Sequence, residues 1–489
     1  MFSFPKDRSM KQGLIARLTP FRQDHLLMFW DTLSNSDRAA LVRQIDAIDF
    51  AQIASLYEDR DAPPESLTLA DQATDPPAYK FSTVPPGGPD CHAKVKVSAS
   101  EAILVGEGSL RKKSVGVILV AGGQGTRLGF PHPKGMFPIG PVSQKSLFQI
   151  HCEKVLAASQ RYGYGIPLCI MTSPATHAET VEFLEQNNRF GLLKDDVFVF
   201  CQGTMPAISL NDGKILLDGK ASIAHSPDGH GGMLAAISQQ RGGPSILERL
   251  QQRGIEHLFY FQVDNPLVQV CSPEFLGYHL VNGSEFTCQV IRKRFPTDRV
   301  GNVVQVDDRL YVIEYSDLPE SVAQRTNADG SLQIWAGSIA VHVIAMSLLD
   351  RMSKSSTALP FHIAKKKVPF IDTNTAELQQ PSEPNAIKLE RFVFDLLPLA
   401  QNAVVVEVDI PNHYAPLKNA PGSSDSPETV KRQISELHAS WLRQAGTIVA
   451  PETPIEISPL FADCPEAVAK KIVPGIAFDR PTYLTESEA

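Results

Sequence analysis

The chain has 489 residues, 43% of them hydrophobic and 20% charged, with a formal net charge of −8. That length exceeds what one compact core usually supports, so two or three domains are expected, and the ordinary composition excludes long disorder or a fibrous repeat. The acidic balance speaks against a nucleic-acid binder held by bulk electrostatics, so any phosphate-bearing substrate must meet a local positive site.

Residues 1–98 read as an N-terminal helical cap and linker. The first twenty or so residues lack the uninterrupted apolar run of a signal peptide. Apolar residues at 26, 27, 29, 30 and 33 fall on one face of a helix over 24–33. Ser36 is placed to cap a second helix running through Leu41, Val42, Ile45 and Ile48. Prolines at 63, 64, 76, 77, 85, 86 and 89 then mark a connector.

From 99 to 403, short β-rich runs alternate with helical patterns. The runs at 115–121, 168–172, 197–201 and 258–263 read as buried strands, with helices at 146–162 and 178–187 between them. That alternation predicts an α/β domain with a largely parallel sheet. Ligands of such sheets bind beyond the carboxyl ends of the strands, which directs attention to residues just after 121, 172, 201 and 263. Residues 404–489 open with a strand-like run at 404–408, pass a Gly/Ser/Asp-rich loop at 422–427 and enter an amphipathic helix over 428–444. They read as a small C-terminal domain.

No run approaches the roughly 18 apolar residues of a membrane span. The seven cysteines, at 91, 152, 169, 201, 271, 288 and 464, form no Cys-x-x-Cys pair and read as free thiols of a reducing compartment. The expectation is a soluble, cytoplasmic protein without a membrane or nucleic-acid partner. Oligomeric state has no signature in the sequence.

The segment richest in chemistry is LVAGGQGTRLGFPHPKGM at 119–136. A buried strand runs straight into Gly122, Gly123, Gly125 and Gly129, which let main-chain N–H groups approach an anion closely. Arg127 and Lys134 add positive charge. A P-loop would need Gly-Lys-Ser/Thr at its end, and this loop ends Arg-Leu-Gly. The dinucleotide pattern G-x-G-x-x-G would start at Gly123 but meets Leu128 at its third glycine. A bare strand-to-loop turn leaves Arg127 and Lys134 unexplained.

G-G-x-G-T-R-L-G followed by Pro-Lys resembles the signature of sugar-nucleotide pyrophosphorylases. The longer form is similar to the UDP-N-acetylhexosamine pyrophosphorylase branch of the UDP-glucose pyrophosphorylase family. Further matches follow in order: HLLMFW at 25–30, QGTMPA at 202–207, SPDGHGG at 226–232, VDN at 263–265, VGNV at 300–303, IEYSD at 313–317, PNAIKLERFVFD at 384–395, YAPLKN at 414–419 and EISPL at 456–460. The resemblance implies a Rossmann-like nucleotidyltransferase domain with a mixed, largely parallel sheet. It implies uridylyl transfer from UTP to a sugar 1-phosphate, N-acetylglucosamine 1-phosphate or a related hexose 1-phosphate, with release of pyrophosphate.

Such a reaction brings two polyanions together, so charge neutralisation and alignment are the main tasks. Arg127 and Lys134 would hold the triphosphate, while Ala121, Gly122, Gly123, Gly125 and Thr126 line the nucleotide. By resemblance Lys388 and Lys418 also reach phosphates. Gln202 matches a uracil-contacting glutamine whose amide can pair with an imide edge. Asp264, directly after a strand, is the candidate carboxylate for Mg²⁺, a hard ion that takes one or two carboxylates plus substrate oxygens. His225, Asp228 and His230 could suggest zinc, but the ligand number is low and the glycines around them suit a loop pressed on a ligand.

Gly229 matches the family's nucleotide loop, and Gly301 and Glu314 match its sugar-binding positions. His230 and Ser338 stand where the family has Asn, and Trp335 replaces a further Asn, either lining the pocket or packing in the core. The lost amides weaken the case for N-acetyl recognition and leave the phosphate machinery untouched. Two other classes stay open: a nucleotide-binding homologue without turnover, and an NAD(P)-dependent oxidoreductase.

Overall fold

The computed structural model describes residues 5–62, 65–84, 96–240, 242–355 and 359–486. Cys91 and the prolines at 63, 64, 85, 86 and 89 lie outside the described residues. The chain forms two compact units: a smaller one of residues 1–63, 203–232 and 359–393, and a larger one of 64–202, 233–358 and 394–489.

The larger unit is built on a ten-stranded sheet. In chain order its strands are β1 (Ala78–Lys80), β2 (Val115–Val120), β3 (Leu168–Thr172), β4 (Val197–Cys201), β5 (His257–Gln262), β6 (Phe286–Arg292), β7 (Gly301–Val306), β8 (Arg309–Ile313), β9 (Ala336–Ala345) and β10 (Ala403–Val408). Side by side they run β1-β10-β6-β9-β5-β2-β3-β4, with the β7–β8 hairpin attached to β9. All neighbours on that path are parallel except those of β9, which is antiparallel to both β5 and β6. The runs VGVILV and LCIMT are apolar on both faces, and every residue of β3 is buried, as the interior of a covered sheet requires. The strand-like run expected at 404–408 becomes β10, an inner strand between β1 and β6.

Helices cover the sheet. They are α1 (Ala99–Arg111), α2 (Leu147–Tyr162), α3 (Pro273–Val281) and α4 (Pro427–Gln444). Ser98 and Glu101 close a capping box on α1, and Ser146 caps α2 by accepting the Gln149 N–H. Each such cap satisfies donors a helix start would otherwise leave open, worth about 1 kcal/mol. The consequence for function is positional: β5, β2, β3 and β4 lie adjacent and parallel, so their carboxyl ends share one edge of the sheet.

In the smaller unit, helices Pro5–Leu18, Asn35–Asp46 and Phe50–Glu58 accompany a three-stranded sheet of His362–Lys366, Ala386–Glu390 and Ile208–Ser209. Leu18, Leu41, Ile45, Ile208 and Ile387 are wholly buried in its core. Two expectations fail here. Residues 24–33 do not form one helix but two 3-10 turns, Asp24–Leu27 and Trp30–Thr32. Leu26, Leu27, Phe29 and Trp30 are all buried as a helical stripe would be, but the backbone closes in short turns, with the Met28 N–H donating to the His25 carbonyl and the Leu33 N–H to the Trp30 carbonyl. The cap of the next helix is Ser34 rather than Ser36: Ser34 has the extended backbone a cap needs, and its Oγ accepts the Asp37 N–H at 3.2 Å. Among the described residues no helix is long and apolar enough to cross a membrane.

Candidate active site

The glycine segment leaves the sheet at Ala121, whose N–H still donates to the Met171 carbonyl at 2.7 Å. It then folds back on itself. The Gly125 N–H donates to the His132 carbonyl at 2.9 Å and the Lys134 N–H to the Gly123 carbonyl at 3.0 Å. Thr126–Leu128 makes a 3-10 turn that Gly129 ends at φ +69°. Gly122 lets the neighbouring strand exits approach closely: a Cβ there would lie 2.8 Å from Gln202 Oε1 and 3.4 Å from the Ser173 backbone N. Gln202 is buried at the exit of β4, and the Ser173 hydroxyl at the exit of β3 donates to the Gly122 carbonyl at 2.8 Å. Ala121, Gly122 and Gln202 therefore meet at the shared edge. Arg127 is exposed on the turn, as is Thr126.

Charge gathers beside this turn. Lys134 Nζ stands 3.9 Å from Asp264 Oδ2 and donates to the Leu417 carbonyl at 3.2 Å. The Asp264 carbonyl accepts the Leu417 N–H at 2.8 Å. The Asn265 amide donates to the His413 carbonyl at 2.8 Å and accepts the Ala415 N–H at 3.1 Å. These bonds dock the 413–418 segment against the exit of β5 and bring Lys418 to the same place. Lys418 Nζ donates to Tyr414 Oη at 3.2 Å. Burial disfavours charge on Lys418, but Tyr414, Asp264 and Asp425 outweigh it and raise its pKa above the usual lysine value. Asp425 is pushed up by burial against the pull of Lys418, with Asp264 adding to the rise. Two ammonium groups thus oppose two carboxylates at the sheet edge, an arrangement that can hold a polyphosphate and one hard cation together. Among the described residues no group of three or more His, Cys, Asp or Glu gathers as a ligand set.

Further along the sheet, Gly301 pairs with Ser338 in the β7–β9 register. A Cβ at Gly301 would lie 3.6 Å from Glu314 Oε1 and 3.9 Å from Ser338 Cβ, so the three expected sugar-binding residues are together. Ser338 Oγ accepts the Ala340 N–H at 3.3 Å, turning the hydroxyl toward its own strand. Trp335 is a packing residue: it is 5% exposed, and the Arg292 guanidinium lies 4.3 Å from its ring centroid. Arg292 is itself held by Glu407 at 3.0 and 3.1 Å.

In the smaller unit the 226–232 loop clamps the end of strand Ala386–Glu390. The Arg391 N–H donates to the Asp228 carbonyl at 2.7 Å and the Gly231 N–H to the Arg391 carbonyl at 2.8 Å. Gly229 has φ +83°, and a Cβ there would meet the Arg391 carbonyl oxygen at 2.3 Å. His230 Nδ1 accepts the Val393 N–H at 3.1 Å while its ring stacks on Phe392. Burial and neighbouring His362 lower its pKa to about 4, so the ring is neutral with its proton on Nε2. Lys388 is half-buried on the same strand, opposite Ala364.

Sequence reasoning gave no role to Tyr414, Asp425, Arg391 and the α2 residues His151 and Lys154. His151 Nε2 donates to the Val263 carbonyl at 3.0 Å; burial, with Lys154 adding, lowers its pKa to about 3. Lys154 Nζ donates to the carbonyls of Pro266 at 2.5 Å and Val268 at 2.8 Å. Burial draws its pKa down to about 7 against Asp463, while the two carbonyls favour the charged form. Lys154 falls in an ordinary helical pattern, where a lone lysine reads as a solvated surface charge.

A glycine turn and opposed ammonium and carboxylate groups at the carboxyl edge of a largely parallel sheet define an α/β nucleotidyltransferase. Residues 95–426 match the family model described as UTP–glucose-1-phosphate uridylyltransferase. The chain is 35% identical over 474 residues to the UDP-N-acetylglucosamine pyrophosphorylase of Saccharomyces cerevisiae, covering 95% of this chain and 97% of that one. It is 33% identical to the human UDP-N-acetylhexosamine pyrophosphorylase-like protein 1, covering 98% of each. The crystal structure of the uridine diphosphate N-acetylglucosamine pyrophosphorylase from Trypanosoma brucei in complex with inhibitor is similar at a TM-score of 0.77 and 27% identity, over 98% of this chain and 99% of that one. The chain belongs to the UTP–glucose-1-phosphate uridylyltransferase family, with its similar relatives in the N-acetylhexosamine branch.

Proposed function

We infer that this protein transfers the uridylyl group of UTP to a sugar 1-phosphate, N-acetylglucosamine 1-phosphate among the acceptors, giving a UDP-sugar and pyrophosphate. A phosphate oxygen of the sugar 1-phosphate forms a bond to the α-phosphorus of UTP as the bond to the bridging oxygen of the β-phosphate breaks. No proton need be abstracted from an ionised phosphate, so the protein's work is alignment and charge. The observation that carries this reading is the gathering of Lys134, Asp264 and Lys418 beside the glycine turn.

Lys134 and Lys418 neutralise the approaching anions, and exposed Arg127 can swing onto the departing pyrophosphate. The main chain of 121–126 and the Gln202 amide hold the nucleotide. Asp264 would hold Mg²⁺ with the phosphate oxygens, the ion supplying further charge neutralisation. Gly301, Glu314 and Ser338 receive the sugar. Gly229, His230 and Lys388 supply a backbone turn, an Nε2–H donor and a further cation. The six described cysteines are all free thiols, which supports a cytoplasmic setting.

Discrimination between acceptors is proposed to be modest. Ser338 is shorter than the Asn it replaces and its hydroxyl already serves Ala340. His230 offers one donor where an amide would offer a donor and an acceptor. Pyrophosphate release from UTP, measured over N-acetylglucosamine, N-acetylgalactosamine, glucose and galactose 1-phosphates, tests the assignment. Release with none of them would refute it.

A further inference from the structure

The turn that carries Asp264 is held from behind as well as from the side of Lys418. Three main-chain carbonyls around it, those of Val263, Pro266 and Val268, accept from two side chains one turn apart on α2. His151 takes the first at 3.0 Å, and Lys154 takes the other two at 2.5 and 2.8 Å. A single ammonium bridging two carbonyls fixes the path of the chain between them, which a neutral side chain of equal length cannot do.

The surroundings make the arrangement expensive to leave incomplete. A cavity of about 110 Å³ lies beside Lys154, lined mostly by apolar side chains such as Ile150, Leu267, Val268 and Trp441, with Arg161 and Asp463 among its charged ones. Carbonyls deprived of their donor here would face a largely apolar wall. Lys154 touches neither Lys134 nor Lys418 in the bonds it makes, so its effect on chemistry has to pass through the turn.

We propose that Lys154 is a positioning residue for the transfer reaction, holding the 263–268 turn so that Asp264 stays in register with Lys134 and Lys418. This rests on the proposed role of Asp264. The principle is that a catalytic group held slightly out of place costs far more rate than binding.

The test compares Lys154→Met, Lys154→Gln and Lys154→Arg with wild type in the full-length protein. Lys154→Met is expected to lower kcat by about tenfold to a hundredfold, the range for a misplaced group. The Mg²⁺ concentration giving half the maximal rate should rise, and KM for the sugar 1-phosphate should stay within about twofold. Lys154→Arg, whose fork can span both carbonyls, should recover most of the rate, and Lys154→Gln, with a shorter arm and an uncharged NH₂, should fall between. Hydrogen–deuterium exchange should quicken in the peptide covering 263–268 in Lys154→Met and not in Lys154→Arg.

Unchanged Mg²⁺ demand and kcat in Lys154→Met, or faster exchange spread over the whole larger unit with kcat lost only in proportion to folded protein, would overturn the proposal. Should Lys154→Met fail to fold, the Arg and Gln variants decide by the same readings. Wild-type turnover reports separately on the proposed function: if UTP and sugar 1-phosphates give no UDP-sugar, that reading fails, while the exchange comparison still judges whether Lys154 holds the turn.

Discussion

At the exits of β2 and β5, Lys134, Asp264, Lys418 and Asp425 face one another, and main-chain bonds from 121–134, 263–268 and 413–418 fix them from several sides. Along β7–β9 the corresponding positions are a glycine, one carboxylate and a hydroxyl turned to its own strand. The first region is charged, short-ranged and over-determined. The second is small-featured and depends on what little each side chain can reach. The contrast teaches how the proposed function would divide its work: charge placement would serve the transfer, and short polar contacts would serve the choice of acceptor.

The sharpest way to break that comparison is at Lys134. Removing its ammonium in Lys134→Ala should lower kcat by at least about a hundredfold, since a charge-stabilising donor is typically worth ~3 kcal/mol. Circular dichroism should show an unchanged fold. Near-normal turnover would mean the charge cluster does not act on the transition state.

Asp264→Asn comes next. It keeps the shape of the side chain and removes the negative charge that pairs with Lys134. Activity should fall and should be partly regained at raised Mg²⁺, and a chelator should abolish wild-type turnover reversibly. Full activity of Asp264→Asn at ordinary Mg²⁺ would move the ion to Asp425 or to the phosphates alone.

A pH experiment probes the support of the same region. His151 is wholly buried, and burial with Lys154 lowers its pKa to about 3 while the Val263 carbonyl opposes the shift. Its folded pKa is thus below the unfolded value near 6.5, so the unfolded chain binds more protons on acidification. The stability is complete above about pH 6.5 and is lost progressively toward about pH 3. At pH 5 the loss from this residue alone should be about 2 kcal/mol, at 1.36 kcal/mol per pH unit. Urea midpoints at pH 7.5 and 5.0 should therefore fall further apart for wild type than for His151→Gln; equal shifts would show that His151 is protonated in the folded state.

The smallest effect concerns the acceptor. Because a single missing amide contact is worth only about 1–3 kcal/mol, kcat/KM for N-acetylglucosamine over glucose 1-phosphate should stay below about a hundredfold. Restoring Asn at both positions, His230→Asn with Ser338→Asn, should raise that preference by roughly tenfold, about 1.4 kcal/mol. No shift in preference would mean that neither side chain meets the sugar.

What the sequence reveals follows the same division. The strands at 168–172 and 197–201 coincide with β3 and β4, because unbroken apolar runs between helical patterns have few other destinations. The glycine turn, Lys134 and Asp264 are legible from their places after buried strands. The turns at 24–32 are not, since Leu26, Leu27, Phe29 and Trp30 imitate a helical stripe until the core they fill is known. Trp335 could not be assigned before Arg292 was seen against its ring. Tyr414 and Asp425 matter through Lys418 nearby and Asp264 across the chain, and Lys154 through the distant carbonyls of Pro266 and Val268, and none of these contacts leaves a local pattern.

The most direct test of the central claim is a phosphorus NMR time course of wild-type protein with UTP, N-acetylglucosamine 1-phosphate and Mg²⁺. The account predicts pyrophosphate and a UDP-sugar rising together in equal amounts as UTP is consumed. Intact UTP, or UMP and pyrophosphate without a UDP-sugar, would contradict it.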